Sequence, residues 1–71
     1  MNTAQVFAER LKELRTSKSI AQDKLAEDLS LSKSSVSFWE RGINIPRLDI
    51  AAAIAEYFGV SLDYLAGLID S

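Results

Sequence analysis

The apolar residues of this chain recur at helical spacing along most of its length. In the first stretch, about residues 2–16, Phe7, Leu11 and Leu14 follow one another at intervals of four and three residues. This spacing places them on one face of an amphipathic helix. Asn2 stands where an N-cap side chain would satisfy the free backbone N–H groups of that helix. We therefore predict a first helix that buries its apolar stripe.

Two much shorter helices are predicted next, separated by only three residues. Residues 22–29 carry leucine and alanine on one face and charged side chains on the other, which indicates a helix of about two turns. Ser32 has the features of an N-cap, and Leu31 and Val36 stand at the N′ and N4 positions of a hydrophobic staple, so a third helix is predicted over residues 33–41. Gly42 suits the left-handed conformation that ends a helix.

The same pattern predicts two more helices after a loop that contains the single proline of the chain. One covers residues 48–58, with Leu48 at the start of its apolar stripe, and is closed by a glycine. The other follows the N-cap Ser61 and ends at Gly67. The sequence contains no strand pattern, repeat or internal linker. The chain is therefore predicted to be a single all-α domain over residues 1–71.

Composition excludes several kinds of function. The 71 residues are 48% hydrophobic, enough for one small core, and they include no cysteine and no histidine. A disulfide framework, a zinc site of cysteines and histidines, and imidazole acid–base catalysis are therefore excluded, and we expect no cofactor or metal. No secretory or membrane-spanning stretch is evident, so we expect a cytoplasmic protein without a membrane partner.

The charge balance is unusual for a protein that binds polyanions. Eight lysines and arginines stand against ten aspartates and glutamates, which gives a net charge of −2 and a pI near 4.9. A general binder of nucleic acid is normally basic. Any contact with a nucleic acid must therefore use a surface on which the cations are separated from the acids.

The short joint between the second and third predicted helices forces them to cross steeply. A small residue is needed where the two backbones approach, and Ala26 supplies it. Val36 and Trp39, three residues apart, then face the core. Their neighbours face outward: Lys33, Ser34, Ser37 and Phe38. Such a face suits a DNA groove, because serine can donate and accept hydrogen bonds at base edges and lysine can reach guanine or phosphate.

Two segments of the chain, QDKLAEDLSLSKSSVSFWERG and PRLDIAAAIAEYFGVSLDYLAG, resemble the Xre/Cro, lambda repressor-like helix-turn-helix domains. The resemblance covers about residues 7–67. It implies a compact five-helix domain in which helices 2 and 3 form the helix-turn-helix of a bacterial or phage transcriptional repressor. Such a protein would not be an enzyme. It would bind double-stranded DNA as a homodimer, with helix 3 in the major groove of a palindromic operator.

The resemblance also implies roles for individual residues. Base contacts would come from Lys33, Ser34, Ser37 and Phe38. Phosphate contacts would come from Gln22, Lys33, Arg41 and Arg47. Gln22 and Lys33 begin helices, whose free N–H groups and dipole favour phosphate. Arg15 and Glu40 would form an ion pair that ties helix 1 to the recognition helix.

Three residues depart from the pattern of that family. Ser30 stands in the turn where glycine is usual, which implies a strained left-handed serine or a slightly different turn. Ala21 replaces a serine or threonine cap, so the second helix should be held less firmly. Arg47 brings a cation to a helix N-terminus, where it is unfavourable, and this suggests a contact outside the fold.

Plainer interpretations remain open for the residues given these roles. Ser34 and Ser37 could belong to an ordinary solvated helix face. Phe38 could be a core or interface residue instead of a groove residue that packs on a thymine methyl. Arg15 and Glu40 could form a solvent-exposed pair, although we favour a partly buried clamp. The serine-rich run has no evident pocket for nucleophilic catalysis.

Four apolar residues lie in the loop of residues 42–47 or in the tail: Ile43, Ile45, Leu68 and Ile69. They could complete a small core, or they could form a two-fold dimer seam that spaces two recognition helices by one turn of DNA. The scaffold as a whole has alternatives too. It could be a protein-interaction module, such as an antitoxin or a regulator subunit, or the DNA-reading domain of a longer chain.

Overall fold

The helices form where the apolar pattern places them. The computed structural model describes residues 2–70, and within them it contains five helices and no strand. The helices are α1 (Thr3–Ser17), α2 (Gln22–Asp28), α3 (Lys33–Glu40), α4 (Leu48–Phe58) and α5 (Leu62–Ala66). The all-α, five-helix prediction is confirmed. The predicted domain, 1–71, includes Met1 and Ser71, which lie outside the described residues.

Some predicted helix boundaries are wrong by one residue. α1 is displaced by one position at both ends, α2 ends at Asp28 instead of Leu29, and α3 ends at Glu40 instead of Arg41. Leu29 and Arg41 are C-cap residues whose N–H groups still donate to helical carbonyls. These two residues continue the hydrogen bonding of their helices but lie outside the regular helical geometry. The pattern of apolar and polar side chains does not distinguish such a C-cap from the last helical residue.

The N-termini of the helices differ in how their free N–H groups are satisfied. Asn2, Ser32 and Ser61 accept hydrogen bonds from the first turns of α1, α3 and α5. Ala21 and Arg47 make no side-chain cap bond at the starts of α2 and α4. Since a missing capping side chain typically costs about 1 kcal/mol, α2 is held mainly by packing.

All five helices within residues 2–70 end in the same backbone motif. A residue with positive φ follows the last turn, and the residue after it donates its N–H to the carbonyl five positions earlier. The left-handed residue is glycine after α3, α4 and α5. It is Ser19 after α1 and Ser30 after α2, each with a φ of 57°. The strained serine expected at position 30 is therefore confirmed, and Ser19 repeats it without having been expected.

One apolar core joins the five helices. Its buried members are Phe7, Leu11, Leu25, Ala26, Val36, Trp39, Ile54, Ala55, Phe58 and Leu65. Ala26, Val36 and Trp39 face inward as predicted, with exposed fractions of 3%, 0% and 6%. The helical pattern also places Leu48 on the inner stripe of α4, and that is wrong. Leu48 is 73% exposed, because it is the first residue of α4 and lies at the rim of the core.

α1 lies at the centre of the arrangement, since α3 and α5 both pack against it. α2 packs on α3, and α4 packs on α5. With α1 and α2 on its inner side, α3 keeps one face outside. Within residues 2–70, the helices are too short or too polar for any of them to cross a membrane.

Candidate nucleic-acid interface

The joint between α2 and α3 turns the chain sharply within three residues. Ser30 adopts the left-handed conformation, and the N–H of Leu31 donates to the carbonyl of Ala26 at 2.7 Å. This bond closes α2 and directs the chain into Ser32, the N-cap of α3. α2 and α3 are therefore two separate helices packed on each other, which is the arrangement of a helix-turn-helix.

α3 divides into an inner and an outer face. Val36 and Trp39 are buried and anchor the inner face in the core. The four residues predicted to contact bases are exposed or half-buried on the outer face: Lys33, Ser34, Ser37 and Phe38. The side chain of Phe38 is 43% exposed, so its interpretation as a misjudged core residue is wrong. The surface turned away from the core is thus available to a ligand.

The hydroxyl groups at the start of α3 form a small network. Ser32 Oγ accepts the N–H of Ser35 at 3.2 Å and lies 2.8 Å from Ser35 Oγ. It also lies 3.3 Å from Ser34 Oγ. Because a hydroxyl has one proton and two lone pairs, Ser34 can still make a further hydrogen bond while the cap holds it in position.

An ion pair between α1 and the end of α3 fixes the orientation of α3. Arg15 Nε and Nη2 donate to Oε2 and Oε1 of Glu40 at 2.5 and 2.9 Å. Arg15 Nη1 also donates to the carbonyl of Ile20 at 2.8 Å. The Arg15 and Glu40 side chains are only 12% and 4% exposed. The pair is therefore a clamp inside the protein, and the interpretation as a solvent-exposed pair is wrong.

The surroundings of Glu40 keep its carboxyl charged. Burial raises the pKa of this group, but the hydrogen bonds from Arg15 and Gln22 and the charge of Arg15 outweigh it. The pKa of Glu40 therefore lies below its usual value. The hydrogen bond to Glu40 in turn raises the pKa of Arg15. Both groups are ionised at neutral pH, so the clamp is closed there.

Gln22 takes part in the same clamp. Its side-chain Nε2 donates to Oε1 of Glu40 at 3.0 Å, and the residue is half-buried at the start of α2. One of its two amide protons is therefore committed inside the protein. The predicted phosphate contact of Gln22 would have to use the second proton.

The cations near α3 are separated from the acids. Between residues 29 and 48 the only acidic residue is Glu40, which is buried in the clamp. Lys33 and Arg41 are exposed, and neither forms an ion pair within residues 2–70. The outer face of α3 and its C-cap therefore carry positive charge only, although the chain as a whole has a net charge of −2.

Arg47, in contrast, has a partner within the fold. Its Nε and Nη2 donate to the Asp49 carboxylate at 3.2 and 3.1 Å. Both side chains are largely exposed, so solvent screens the pair and its contribution to stability is small. Asp49 lies in the first turn of α4 and offsets the unfavourable cation at that N-terminus. Arg47 at this position therefore does not by itself require a contact outside the fold.

Phe38 and Arg41 form a stacked pair on the outer face. The guanidinium carbon of Arg41 lies 5.8 Å from the centroid of the Phe38 ring. At an exposed site, such a cation–π contact contributes about 0.5–1 kcal/mol. The sequence indicated both residues separately, but it did not indicate that they touch. The stack places two different groups, an apolar ring and a planar cation, at the C-terminal end of the outer face of α3.

The apolar residues of the loop between α3 and α4 and of the tail are exposed. Their exposed fractions run from 42% to 74%: Ile43, Ile45, Leu68 and Ile69. The interpretation that these four residues complete the core is therefore wrong. Leu48 belongs with them as a large exposed apolar residue that the helical pattern did not separate from the core.

An apolar groove lies beside part of this exposed set. Ile45, Pro46 and Leu48 line one part of it, and Phe7 of α1 and Leu62 of α5 line another. Its volume is about 220 Å³. The groove lies between the start of α4, α1 and α5, so it is formed by elements other than the recognition helix α3.

Comparison with known proteins agrees with this geometry. The helix-turn-helix family profile matches residues 11–65, a segment that includes all of α2, α3 and α4, most of α5 and the second half of α1. Among similar proteins, the HTH-type transcriptional activator BcrR of Enterococcus faecalis is 39% identical over 59 residues, which are 83% of this chain and 29% of that protein.

Two further relatives come from Bacillus subtilis. The uncharacterized HTH-type transcriptional regulator YobD is 34% identical over 65 residues, 92% of this chain and 58% of its own length. The SPbeta prophage-derived uncharacterized HTH-type transcriptional regulator YonR is 35% identical over 60 residues, 84% of this chain and 56% of its own length. The chain thus spans between 29% and 58% of the length of these relatives. No solved structure matches it significantly.

Proposed function

The chain belongs to the helix-turn-helix family of the Xre/Cro type, and from this premise we propose that it is a sequence-specific transcriptional regulator that binds double-stranded DNA through α3. The observation that carries the proposal is the outer face of α3. Serines, a phenylalanine and two cations without an ion pair in residues 2–70 stand there together, and no exposed acid lies among them. The role is one of binding, without catalysis.

In this proposal, phosphate contacts fix the register of the protein on the duplex and base contacts select the sequence. The phosphate contacts come from Gln22, Lys33, Arg41 and Arg47. The base contacts come from Lys33, Ser34, Ser37 and Phe38. With eight residues, α3 is about 12 Å long, which is close to the width of the major groove.

The clamp between Arg15 and Glu40 supports this reading geometrically. It ties the end of α3 to α1 by two hydrogen bonds, so the outer face of α3 has a fixed direction before it meets DNA. A recognition helix that is already oriented loses less conformational freedom on binding. Direct readout of bases depends on such fixed geometry, since hydrogen bonds weaken steeply with angle.

The negative net charge supports specificity over general affinity. Attraction to the phosphate backbone supplies most non-specific binding, and it scales with the number of cations that meet phosphates. This chain offers few cations at the interface, and between residues 29 and 48 its only acid is Glu40, whose side chain is buried in the clamp. We expect non-specific binding to be weak at physiological salt and specific binding to depend on the base contacts.

We also propose that the protein binds a palindromic operator as a homodimer. The exposed apolar residues named above supply a seam: Ile43, Ile45, Leu68 and Ile69, with Leu48 beside them. Sedimentation velocity at micromolar concentration, with and without a two-half-site duplex, tests this part. Only monomer in solution, together with one-to-one binding to a single half-site, would refute dimerisation.

Repression is the proposed mode of regulation, because occupancy of an operator blocks access to it without any further contact. The relative BcrR is named a transcriptional activator, so the mode needs a test of its own. A reporter placed behind the selected operator should lose expression when the protein is present in the cytoplasm, where we propose that it acts. Increased expression would reverse the sign of the regulation and leave DNA binding intact.

Selection of bound duplexes from a random pool tests the proposed function as a whole. We expect enrichment of a defined sequence with two related halves, whose centres are about 10 base pairs or a multiple apart. A module that binds only another protein, such as an antitoxin or a regulator subunit, would enrich no sequence and would show no affinity for any duplex even in dilute salt. That result would overturn the proposal.

A further inference from the structure

We propose that Phe38 and Arg41 act together as one recognition unit that reads the methyl group of a thymine and the guanine of the adjacent base pair. This inference rests on the proposed function of α3 and makes it more specific. It also changes the role of Arg41, which the family resemblance assigns to a phosphate.

The two residues lie on the same face of the recognition helix. Phe38 is in the last part of α3 and Arg41 is its C-cap, three positions later, so both point to the same side. The guanidinium carbon of Arg41 stands 5.8 Å from the Phe38 ring centroid. This contact places the cation beside a residue already on the outer face, next to Ser37 and Ser34.

Stacking on an aromatic ring leaves the hydrogen-bonding edge of a guanidinium free, because the N–H groups lie in its plane. Arg47 shows the other case, since its Nε and Nη2 are both engaged by Asp49. Within residues 2–70, no carboxylate lies within 4.0 Å of the Arg41 guanidinium. Arg41 can thus present two parallel N–H groups to the O6 and N7 atoms of guanine.

Phe38 supplies the apolar half of the unit. Among the outer residues of α3 it is the only large apolar side chain, and 43% of it is exposed. Of the groups that bases present in the major groove, the apolar one is the C5-methyl of thymine. A partly exposed ring beside a cation can cover that methyl.

The stack also determines the spacing of the two groups that are read. Successive base pairs are about 3.4 Å apart, and the 5.8 Å between the Arg41 guanidinium and the Phe38 ring is less than two such steps, so the two side chains reach neighbouring positions along the groove. The thymine and the guanine therefore belong to adjacent base pairs. Lys33, at the opposite end of α3, would read a separate position.

The experiment measures the affinity of the wild type and of four variants for the duplex enriched by selection and for two modified forms of it. One form replaces the thymine by uracil, which removes only the methyl group. The other replaces the guanine by 7-deazaguanine, which removes only N7. The variants are Phe38→Ala, Phe38→Leu, Arg41→Ala and, as a matched control outside the stack, Arg47→Ala. Circular dichroism checks that each variant is folded.

For the wild type we expect uracil to weaken binding about fourfold and 7-deazaguanine to weaken it by a factor of about five or more. The uracil effect should vanish in Phe38→Ala, and the 7-deazaguanine effect should vanish in Arg41→Ala. Phe38→Leu should keep the methyl effect but lose part of the guanine effect, because leucine offers no ring on which Arg41 can stack. Arg47→Ala should keep both effects.

Three results would overturn the inference. If Arg41→Ala weakens binding to all three duplexes by the same factor and lowers the salt slope by about one, Arg41 is a phosphate contact. If Phe38→Leu leaves the guanine effect unchanged, the two residues act independently. Both results leave the proposed DNA binding intact. If no duplex is enriched at all, the proposed function fails and the inference fails with it.

Discussion

Two serines hold backbone conformations that usually belong to glycine. Ser19 and Ser30 both have a φ of 57°, at the ends of α1 and α2. Each is kept there by a following hydrogen bond, from Ile20 N–H to the Arg15 carbonyl at 3.0 Å and from Leu31 N–H to the Ala26 carbonyl at 2.7 Å. A left-handed residue with a side chain costs about 1 kcal/mol or more, so the tight turn into α3 carries strain.

Ser30→Gly should relieve this strain. Glycine adopts positive φ without a steric cost, although it loses more backbone freedom on folding, so we expect the free energy of unfolding to rise by about 0.5–1 kcal/mol. Urea denaturation measures the change. Ser30→Ala is the matched control, and it should alter stability by less than about 0.5 kcal/mol because alanine keeps the strained Cβ. Equal effects of the two substitutions would show that strain at this φ is not the cause.

Glu40→Gln should open the clamp while keeping its shape. The substitution leaves the buried Arg15 charge without its partner, so we expect the free energy of unfolding at pH 7 to fall by about 3 kcal/mol. Affinity for the selected duplex should fall as well, since α3 loses its tie to α1. If stability and affinity are both unchanged, the ion pair neither stabilises the fold nor orients α3. The exposed Glu56 provides a control, since Glu56→Gln should change stability by less than about 0.5 kcal/mol.

The same carboxyl group predicts how stability varies with pH. The folded pKa of Glu40 lies below its usual value, which in an unfolded chain is about 4.3. The stabilisation is therefore fully present above about pH 4.3 and is lost as the pH falls through the folded pKa. When thermal unfolding is measured from pH 7 to pH 2, the melting temperatures of the wild type and of Glu40→Gln should become equal in acid. A constant difference over this range would mean that the Glu40 charge does not carry the effect.

At the scale of elements, one arginine attaches the end of the chain to α1. Arg10 Nη1 donates to the carbonyls of Tyr64 and of Ile69, the latter at 2.6 Å, and its guanidinium lies 4.3 Å from the centroid of the Tyr64 ring. Nη2 is also 3.7 Å from the Asp70 carboxylate. α5 has only five residues, too few to be stable alone, so its place depends on such contacts.

Arg10→Ala should loosen α5 and the tail before the rest of the protein. We expect the free energy of unfolding to fall by about 2 kcal/mol, since two hydrogen bonds from a largely buried cation are lost. Hydrogen exchange should accelerate at the amides of Gly67 and Leu68, which close α5, and much less at Val36 in α3. Glu13→Ala, an exposed change on α1, is the control. Uniform acceleration in all helices would show that Arg10 has no local role.

The existence and type of the helices could be predicted because each depends on nearby residues. The inward position of Val36 and Trp39 follows from helical spacing, and Ser32 and Ser61 mark helix starts by capping chemistry. The helical pattern failed at Leu48, where the stripe continues past the edge of the core. The type of a side chain does not show whether a neighbouring helix extends far enough to cover it.

Contacts between distant residues could not be predicted from spacing. Arg10 meets carbonyls 54 and 59 positions away, and the Tyr57 hydroxyl donates to Asp28 at 2.6 Å across 29 positions. The Arg15 and Glu40 pair was indicated only by family resemblance. The pairing of Arg41 with Phe38 was missed for another reason, because several rotamers of a long exposed side chain fit the same sequence.

At the scale of the whole molecule, the distribution of charge matters more than its sum. The net charge of −2 conceals a surface between residues 29 and 48 whose only acid is buried in the clamp. Apart from Phe38, the large apolar residues left exposed within residues 2–70 lie in the loop between α3 and α4, at the start of α4 and in the tail. In the proposed function, the outer face of α3 meets DNA and these apolar residues meet a second copy.

Titration of the ¹⁵N-labelled protein with the selected duplex shows whether the outer face of α3 enters the major groove. Backbone amide signals report which residues change environment on binding. We expect the largest shifts and intensity losses at residues 33–41, smaller ones at Gln22 and Arg47, and almost none along the outer face of α5. Changes confined to Ile43, Ile45, Leu48 and the tail, with residues 33–38 unaffected, would show that α3 does not bind the duplex.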